Sequence, residues 1–163
     1  KGNIFMRRKD KEIKDIIEIL EIVKQAKYCS VAMCRNNLPY IVPMNFGFSD
    51  ETICLHSANV GLKIDILKSN PQVCIGIVQN EKIKKMPDIC DTEMKYSSVT
   101  IFGKAEFLSD EKEKRNALKC IVEHYEHNTA QSNEIEMNVD MGVLNRLSVV
   151  KVQIEKITGK RSV

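Results

Sequence analysis

Tryptophan is absent from this 163-residue chain, and aromatic residues make up only 6% of it. A platform that stacks single-stranded bases needs exposed rings, so the composition argues against that role. No apolar run approaches the roughly 20 residues that span a bilayer. The opening stretch "KGNIFMRRKDKEIKD" has neither an apolar signal core nor a small-residue cleavage site, which leads to the expectation of a cytoplasmic protein. No C-x-x-C pair occurs among the six cysteines, Cys29, Cys34, Cys54, Cys74, Cys90 and Cys120. The close ligand pairs of a zinc site are therefore missing, and no metal is expected. The thiols are expected to be reduced. Cys29, Cys54 and Cys74 fall in apolar runs, where cysteine acts as a small hydrophobe. Long blocks of one charge sign are also lacking. The net charge of +3 is spread through mixed stretches such as "KDKEIKD" and "DEKEKR", a pattern of solvated helix faces rather than of a nucleic-acid groove. The one basic block is "NEKIKK". Repeats, linkers and a second domain are not evident, so residues 1–163 read as a single domain.

What is present reads as strands with a few helices. Ile13, Ile16, Ile17, Leu20 and Val23 recur at helical spacing, which predicts a helix from about Asp10, as its cap, to Ala26. "YCSVAMC", "YIVPMNFGF" and "TICLHS" are short β-rich runs separated by the turn-formers "RNNLP" and "SDE", the pattern of an antiparallel meander. Pro43 lies inside the second run. Proline cannot donate to a ladder, so that strand is an edge, is bulged, or meets something other than a strand. A short helix is predicted over Val60–Ser69, then a strand "QVCIGIV", a long loop over Gln79–Lys95, and a long strand "SSVTIFGKAEFL" with Gly103 as a possible bulge. Ser109 would cap a further helix running to about His124. "NTAQSNE" reads as loop and "LSVVKVQIEKITG" as the last strand. Six strands with peripheral helices do not alternate as a doubly wound nucleotide fold would. A mainly β (α+β) antiparallel barrel is the better expectation.

The stretch "ICLHSANVGLKIDILKSNPQVCIGI" carries the strongest chemical signal. Its first strand ends on His56 and Ser57, and its helix opens near Asn59, Gly61 and Lys63. A helix N-terminus presents unpaired N–H groups and a partial positive charge. Glycine permits close approach by a ligand, and Lys63 adds a full charge. Together they suit a phosphate. A plain N-cap with a solvated lysine is the simpler alternative, although a lysine there opposes the helix dipole.

The segments "MRRKDKEI", "LPYIVPMNFGF", "ICLHSANVGLKIDILKSNPQVCIGI", "CDTEMKYSSVTIFGKAEF" and "ITGKR" together resemble the pyridoxamine 5′-phosphate oxidase-related flavin-binding proteins, in their nitroimidazole-resistance-like branch. The resemblance implies a six-stranded split β-barrel that forms a homodimer, with FMN at the subunit interfaces. It implies that His56, Ser57 and Lys63 hold the FMN phosphate, beside the Gly61 of the helix mouth, and that the backbone of Val42, Pro43, Met44 and Asn45 meets the ring edge. Ser98 is implied to face the ring, and Lys160, with Arg161 beside it, to reach the cofactor from the C-terminal tail. Cys90 and Tyr96 belong to a matched segment without an implied role. Residues Lys1–Phe5 precede the methionine at which this branch commonly begins and read as upstream residues.

The pattern also departs from the family. Leu62 stands where the true oxidases carry an arginine before the lysine, and their arginine- and tryptophan-rich C-terminal segment is missing. That argues against vitamin B6 oxidation. The activity implied is FMN-dependent reduction of a small planar substrate such as a nitroaromatic, with hydride from the flavin N5 and His56 as the candidate catalytic residue. The alternative is a non-catalytic flavin- or haem-binding protein. His124 and His127 read as C-terminal residues of a helix.

Overall fold

In the computed structural model, which describes residues 6–88, 92–126 and 139–162, two residues join the opposite edges of one sheet. The strands are β1 (Glu12–Ile13), β2 (Cys29–Arg35), β3 (Leu38–Met44), β4 (Gly47–Ser49), β5 (Thr52–Ala58), β6 (Gln72–Lys84), β7 (Glu93–Phe107) and β8 (Leu147–Ser162). All pairings are antiparallel, in the order β3-β2-β6-β7-β8-β5-β4, with β1 added to β8. The edge strands β3 and β4 are separated in the chain only by Asn45 and Phe46. A link that short reaches about 10 Å, so the sheet rolls until its edges nearly meet. The product is a barrel left open along one seam. This is the expected β-dominated architecture, with eight strands rather than six.

Local chemistry explains the strand breaks. Asn36 and Asn37 both have positive φ, as do Asp50 and Glu51. Each pair forms the two-residue connection of a hairpin, β2–β3 and β4–β5, where asparagine and aspartate tolerate left-handed backbone. The run expected as one strand over Tyr40–Phe48 is two, because the chain turns inward at Phe46. That ring is fully buried at the joint, beside the Val23, Ile53, Ile75, Ile101 and Val152 core. Removing it would cost about 3–5 kcal/mol. Pro43 sits in regular register opposite Ser30 on an edge strand, which resolves its alternatives in favour of the edge.

Three expectations need correction. The first helix, α1 (Ile16–Gln25), starts later than Asp10, because the Asp15 carboxylate accepts from the Ile17 N–H and caps it. Ile13 belongs to β1, and the buried face is Ile19, Ile22 and Val23, leaving Ile16 and Ile17 exposed. Second, the expected loop over Gln79–Lys95 is largely an extension of the β6–β7 ladder, with a bulge between Gln79 and Lys82. Its alternation is polar on both faces, which hid it. Third, Asp110, not Ser109, caps the helix α3 (Glu111–Glu126), accepting from the Glu113 N–H.

Helix α2 (Leu62–Ser69) lies where expected, and a short α4 (Met141–Arg146), which precedes β8, was not anticipated. The bulge near Gly103 is present, as a register shift between Phe102 and Gly103. Cys29, Cys54 and Cys74 all lie on strands. No helix among the described residues is long and apolar enough to cross a membrane. Cys90, His127, the "NTAQSNE" stretch and residues 1–5 lie outside the described residues.

Candidate functional site: the open seam of the barrel

The seam of the barrel is widest where β4 stops short. β4 pairs with Thr52, Ile53 and Cys54 only, so Leu55–Ala58 of β5 run on without a partner on that side. Across the gap lies the end of β3. Helix α2 begins just beyond, and the three elements enclose a depression of about 480 Å³. It is lined by Pro43 and Met44 from β3 and Asn45 just after it, by His56 and Ser57 from β5, and by Gly61 and Lys63 at the helix mouth. These are seven of the ten residues expected to hold a cofactor.

The helix mouth is bare. Its N-cap is Gly61, with φ +118°, a left-handed conformation that a side chain would strain, and no side chain caps it. The first intrahelical bonds run from Ile64 and Asp65 N–H to the Gly61 carbonyl, so the amides of Leu62 and Lys63 precede the ladder. Ser57 does not cap the helix; its hydroxyl donates to the Ala58 carbonyl at 2.8 Å. The simpler N-cap reading therefore fails for Ser57.

The electrostatics are one-sided. Lys63 is half-buried, and its ammonium points across the seam to the Met44 sulfur at 3.7 Å. Among the described residues it forms no ion pair with a carboxylate. Burial lowers its pKa from the usual lysine value. His56 Nδ1 is buried without a hydrogen-bond partner. Burial, and after it the Lys63 charge, holds His56 below its ordinary value, which keeps the ring neutral near pH 7. An uncapped helix start, an uncompensated ammonium and an orphaned imidazole nitrogen form a cradle that an anion with hydroxyl groups would complete.

The remaining expected residues are elsewhere. The Val42 side chain packs against the core, leaving only its backbone near the seam. Ser98 and Lys160 pair with each other across β7 and β8. Lys160 stands eleven residues along β8 from Val149, the partner of His56, a path of roughly 35 Å along an extended strand. Neither lines the depression. The expected C-terminal tail is a strand inside the sheet. Arg161 is committed there, its guanidinium donating to the Ser97 hydroxyl at 3.1 Å and pairing with Glu18. Lys160 lies over the Tyr96 ring, 5.4 Å from its centroid. His124, expected to serve the end of α3, is instead buried and donates from Nε2 to the Ala26 carbonyl at 2.8 Å.

Tyr40, Ala58, Val60 and Leu62 also line the depression and were not anticipated. Two apolar residues flanking the N-cap Gly61, Val60 at 75% and Leu62 at 49% exposure, were the available signal. Beyond the seam, the outer face of the sheet is apolar and low in profile. Ser30 and Ala32 sit beside Gly76 and Cys74, with exposed Ile41, Tyr28 and Val78 around them. A Cβ placed on Gly76 would meet nothing within 4 Å.

Comparisons with known proteins agree with this architecture. No curated protein sequence matches the chain. A candidate 5-nitroimidazole antibiotic resistance protein from Bacteroides thetaiotaomicron shares 34% identity, with 92% of this chain and 86% of that one covered and a TM-score of 0.78. The flavocytochrome Anf3 from Azotobacter vinelandii (16% identity, 98% and 72% covered, TM-score 0.80) shares the fold. So does the FAD and heme binding protein from Mycobacterium smegmatis (15% identity, 93% and 73% covered, TM-score 0.78). The family described as pyridoxamine 5′-phosphate oxidase matches residues 15–161. Fold, seam and sequence match together lead to one conclusion: the chain belongs to the pyridoxamine 5′-phosphate oxidase family.

Proposed function

We propose that this chain is an FMN-binding flavoprotein that works as a homodimer and reduces a small planar substrate such as a nitroaromatic. The observation that carries the reading is the uncompensated Lys63 ammonium beside the uncapped start of α2 and the orphaned His56 Nδ1. These groups fit a phosphate monoester. Gly61, the Leu62 and Lys63 amides, the Lys63 ammonium, Ser57 and His56 would hold it, and the β3 edge from Val42 to Asn45 offers backbone groups to a flat polar ring. A bound flavin supplies hydride transfer. The chain supplies binding, orientation and a neutral imidazole at His56.

Two further observations support the dimer. The depression is open on one side, and Ser98 of β7 and its partner Lys160 of β8 lie far from it. A second copy packed on the apolar outer face could bring its own Ser98 and Lys160 to the first copy's seam. Support for the nitroaromatic class comes from the name of the Bacteroides relative. Flavin is supported by the names of the Azotobacter and Mycobacterium proteins. Leu62 leaves one bidentate phosphate contact fewer than an arginine would give, so this reading does not extend to vitamin B6 oxidation.

The test is a reconstitution. Purified chain is mixed with FMN, freed of excess ligand, and its spectrum recorded. The reading expects retained flavin absorbance, bleached by NADH or NADPH and restored by a nitroimidazole. A chain that retains no flavin sinks the proposal, and one that retains flavin but passes no electrons to any nitroaromatic sinks the catalytic half of it. A second reading, haem binding, draws on the names of the same two relatives and on the free Nδ1 of His56. A Soret band after mixing with haemin would favour it.

A further inference from the structure

Cys54 and Cys120, distant in sequence, meet on the opposite side of β5 from the barrel core. Cys54 lies between two neighbours, pairing with Gly47 of β4 on one side and Lys151 of β8 on the other. Cross-strand partners project to the same face, so the Cys54 thiol and the Lys151 side chain lie together. Helix α3 packs on that face, and Gly47 permits an unusually close approach. A Cβ there would fall 2.6 Å from the carbonyl carbon and oxygen of Cys120. The helix therefore brings Cys120 beside Cys54, and both pack in one cluster.

The pair is reachable. Cys54, Cys120 and Lys151 line one cavity of about 280 Å³, together with Glu113 and Asn116. Cys120 also borders a larger groove of about 560 Å³ between α1, α3 and β4. Two further strand cysteines, Cys29 and Cys74, differ in kind. Burial pushes Cys29 up to about 12 and raises Cys74, which lowers the thiolate fraction of both. Cys54 is drawn the other way, by the Cys120 thiol donating to it and then by the Lys151 charge, against burial. Cys120 is raised. With the Lys151 ammonium as its cross-strand neighbour, Cys54 is the thiol placed to react first.

We propose that Cys54 and Cys120 are an oxidation site, a dithiol that a peroxide converts into a disulfide joining β5 to α3. The Cys54 thiolate, beside the Lys151 ammonium, attacks one peroxide oxygen. An S–O bond forms, the O–O bond breaks, and the departing hydroxide takes up the thiol's proton as water, leaving Cys54 as a sulfenic acid. The Cys120 sulfur then attacks the Cys54 sulfur. The S–S bond forms, the S–O bond breaks, and the hydroxyl leaves with the Cys120 proton as a second water. Two thiols and one peroxide become one disulfide and two waters. The staple would tie α3 to the strand that continues into His56 and Ser57, so oxidation at one face would stiffen an element of the other. The proposal does not depend on what the seam binds.

The experiment uses the full chain. It is treated with hydrogen peroxide, alkylated with iodoacetamide, digested without reductant and mapped by mass spectrometry. The expected product is a Cys54–Cys120 cross-linked peptide lighter by two hydrogens and lost on adding dithiothreitol. Cys54 should be consumed at least about tenfold faster than Cys29. In Cys120→Ser, Cys54 should stop at the sulfenic acid and be trapped by dimedone. The proposal is overturned if the cross-link joins other cysteines, or if peroxide leaves both thiols as open to alkylation as before. Mapping of the unsubstituted chain decides the matter even if Cys120→Ser fails to fold.

Discussion

The Lys63 ammonium points at the Met44 sulfur, 3.7 Å away, across the gap between helix α2 and edge strand β3. A thioether is a weak acceptor and carries no compensating charge. A half-buried cation with such a partner contributes little to the fold, and under the proposed function its role is to meet an anion. Two consequences separate these roles. Lys63→Ala should leave the thermal midpoint nearly unchanged and weaken FMN binding about tenfold to a hundredfold, as expected for one charge-assisted hydrogen bond. Titration of flavin fluorescence against protein measures the second, and unchanged affinity would remove Lys63 from the site.

Acid should destabilise the chain partly through His56. Its native pKa lies below the ordinary value, held there by burial and then by Lys63. Above about pH 6.5 both folded and unfolded imidazoles are neutral. As pH falls through that value, the unfolded chain binds a proton that the native one refuses, so stability present above it is progressively lost down to the native pKa. Urea midpoints at pH 7.5 and 5.5 should therefore differ more for the parent chain than for His56→Gln. A bound phosphate group would offset the Lys63 charge and favour the imidazolium, so FMN should move the His56 imidazole titration upward in an NMR experiment.

Gly47 is a packing requirement. Its missing Cβ makes room for backbone atoms of Cys120 and Ile121, each 2.6 Å from where that Cβ would lie. Backbone in a helix yields less than a side chain. Gly47→Ala should cost about 1–3 kcal/mol, visible as a lower denaturation midpoint. An unaltered midpoint would mean that α3 shifts freely on the sheet.

The outer sheet face offers a separate test of assembly. Ile41 is 63% exposed there, on the edge strand β3, and its side chain leaves the core untouched. Ile41→Asp should keep the circular dichroism of the parent while light scattering reports a fall from two chains to one. Loss of flavin retention in the same variant is expected if the site needs both copies. A parent chain that is monomeric at micromolar concentration would end the dimer proposal.

Tyr125 ties the barrel joint to its helices. Its hydroxyl accepts from the Phe46 N–H at 3.0 Å and donates to the Lys27 carbonyl at 2.9 Å. Tyr125→Phe leaves two backbone groups without that partner and should cost about 1–3 kcal/mol, read from urea denaturation. A loss of much less would mean that water replaces the hydroxyl without difficulty.

Patterns carried by neighbours in sequence were legible before any coordinates. The β-rich runs of β2, β5 and β7, the turns at Asn36–Asn37 and Asp50–Glu51, and helix α2 with Gly61 and Lys63 at its mouth all follow from local sterics and hydrogen bonding. So does the grouping of His56, Ser57 and Lys63, since one strand-to-helix turn carries them all. Tertiary contact decided the rest. Pairing with β8 drew Glu12–Ile13 out of the predicted helix, and pairing with β7 made strand of a polar stretch. The length of β8 separated Lys160 from His56, while the close approach at Gly47 joined Cys54 to Cys120. Local rules specify what each short segment prefers. Which segments meet depends on how the sheet rolls, and that is settled by long-range packing that no short window of sequence contains.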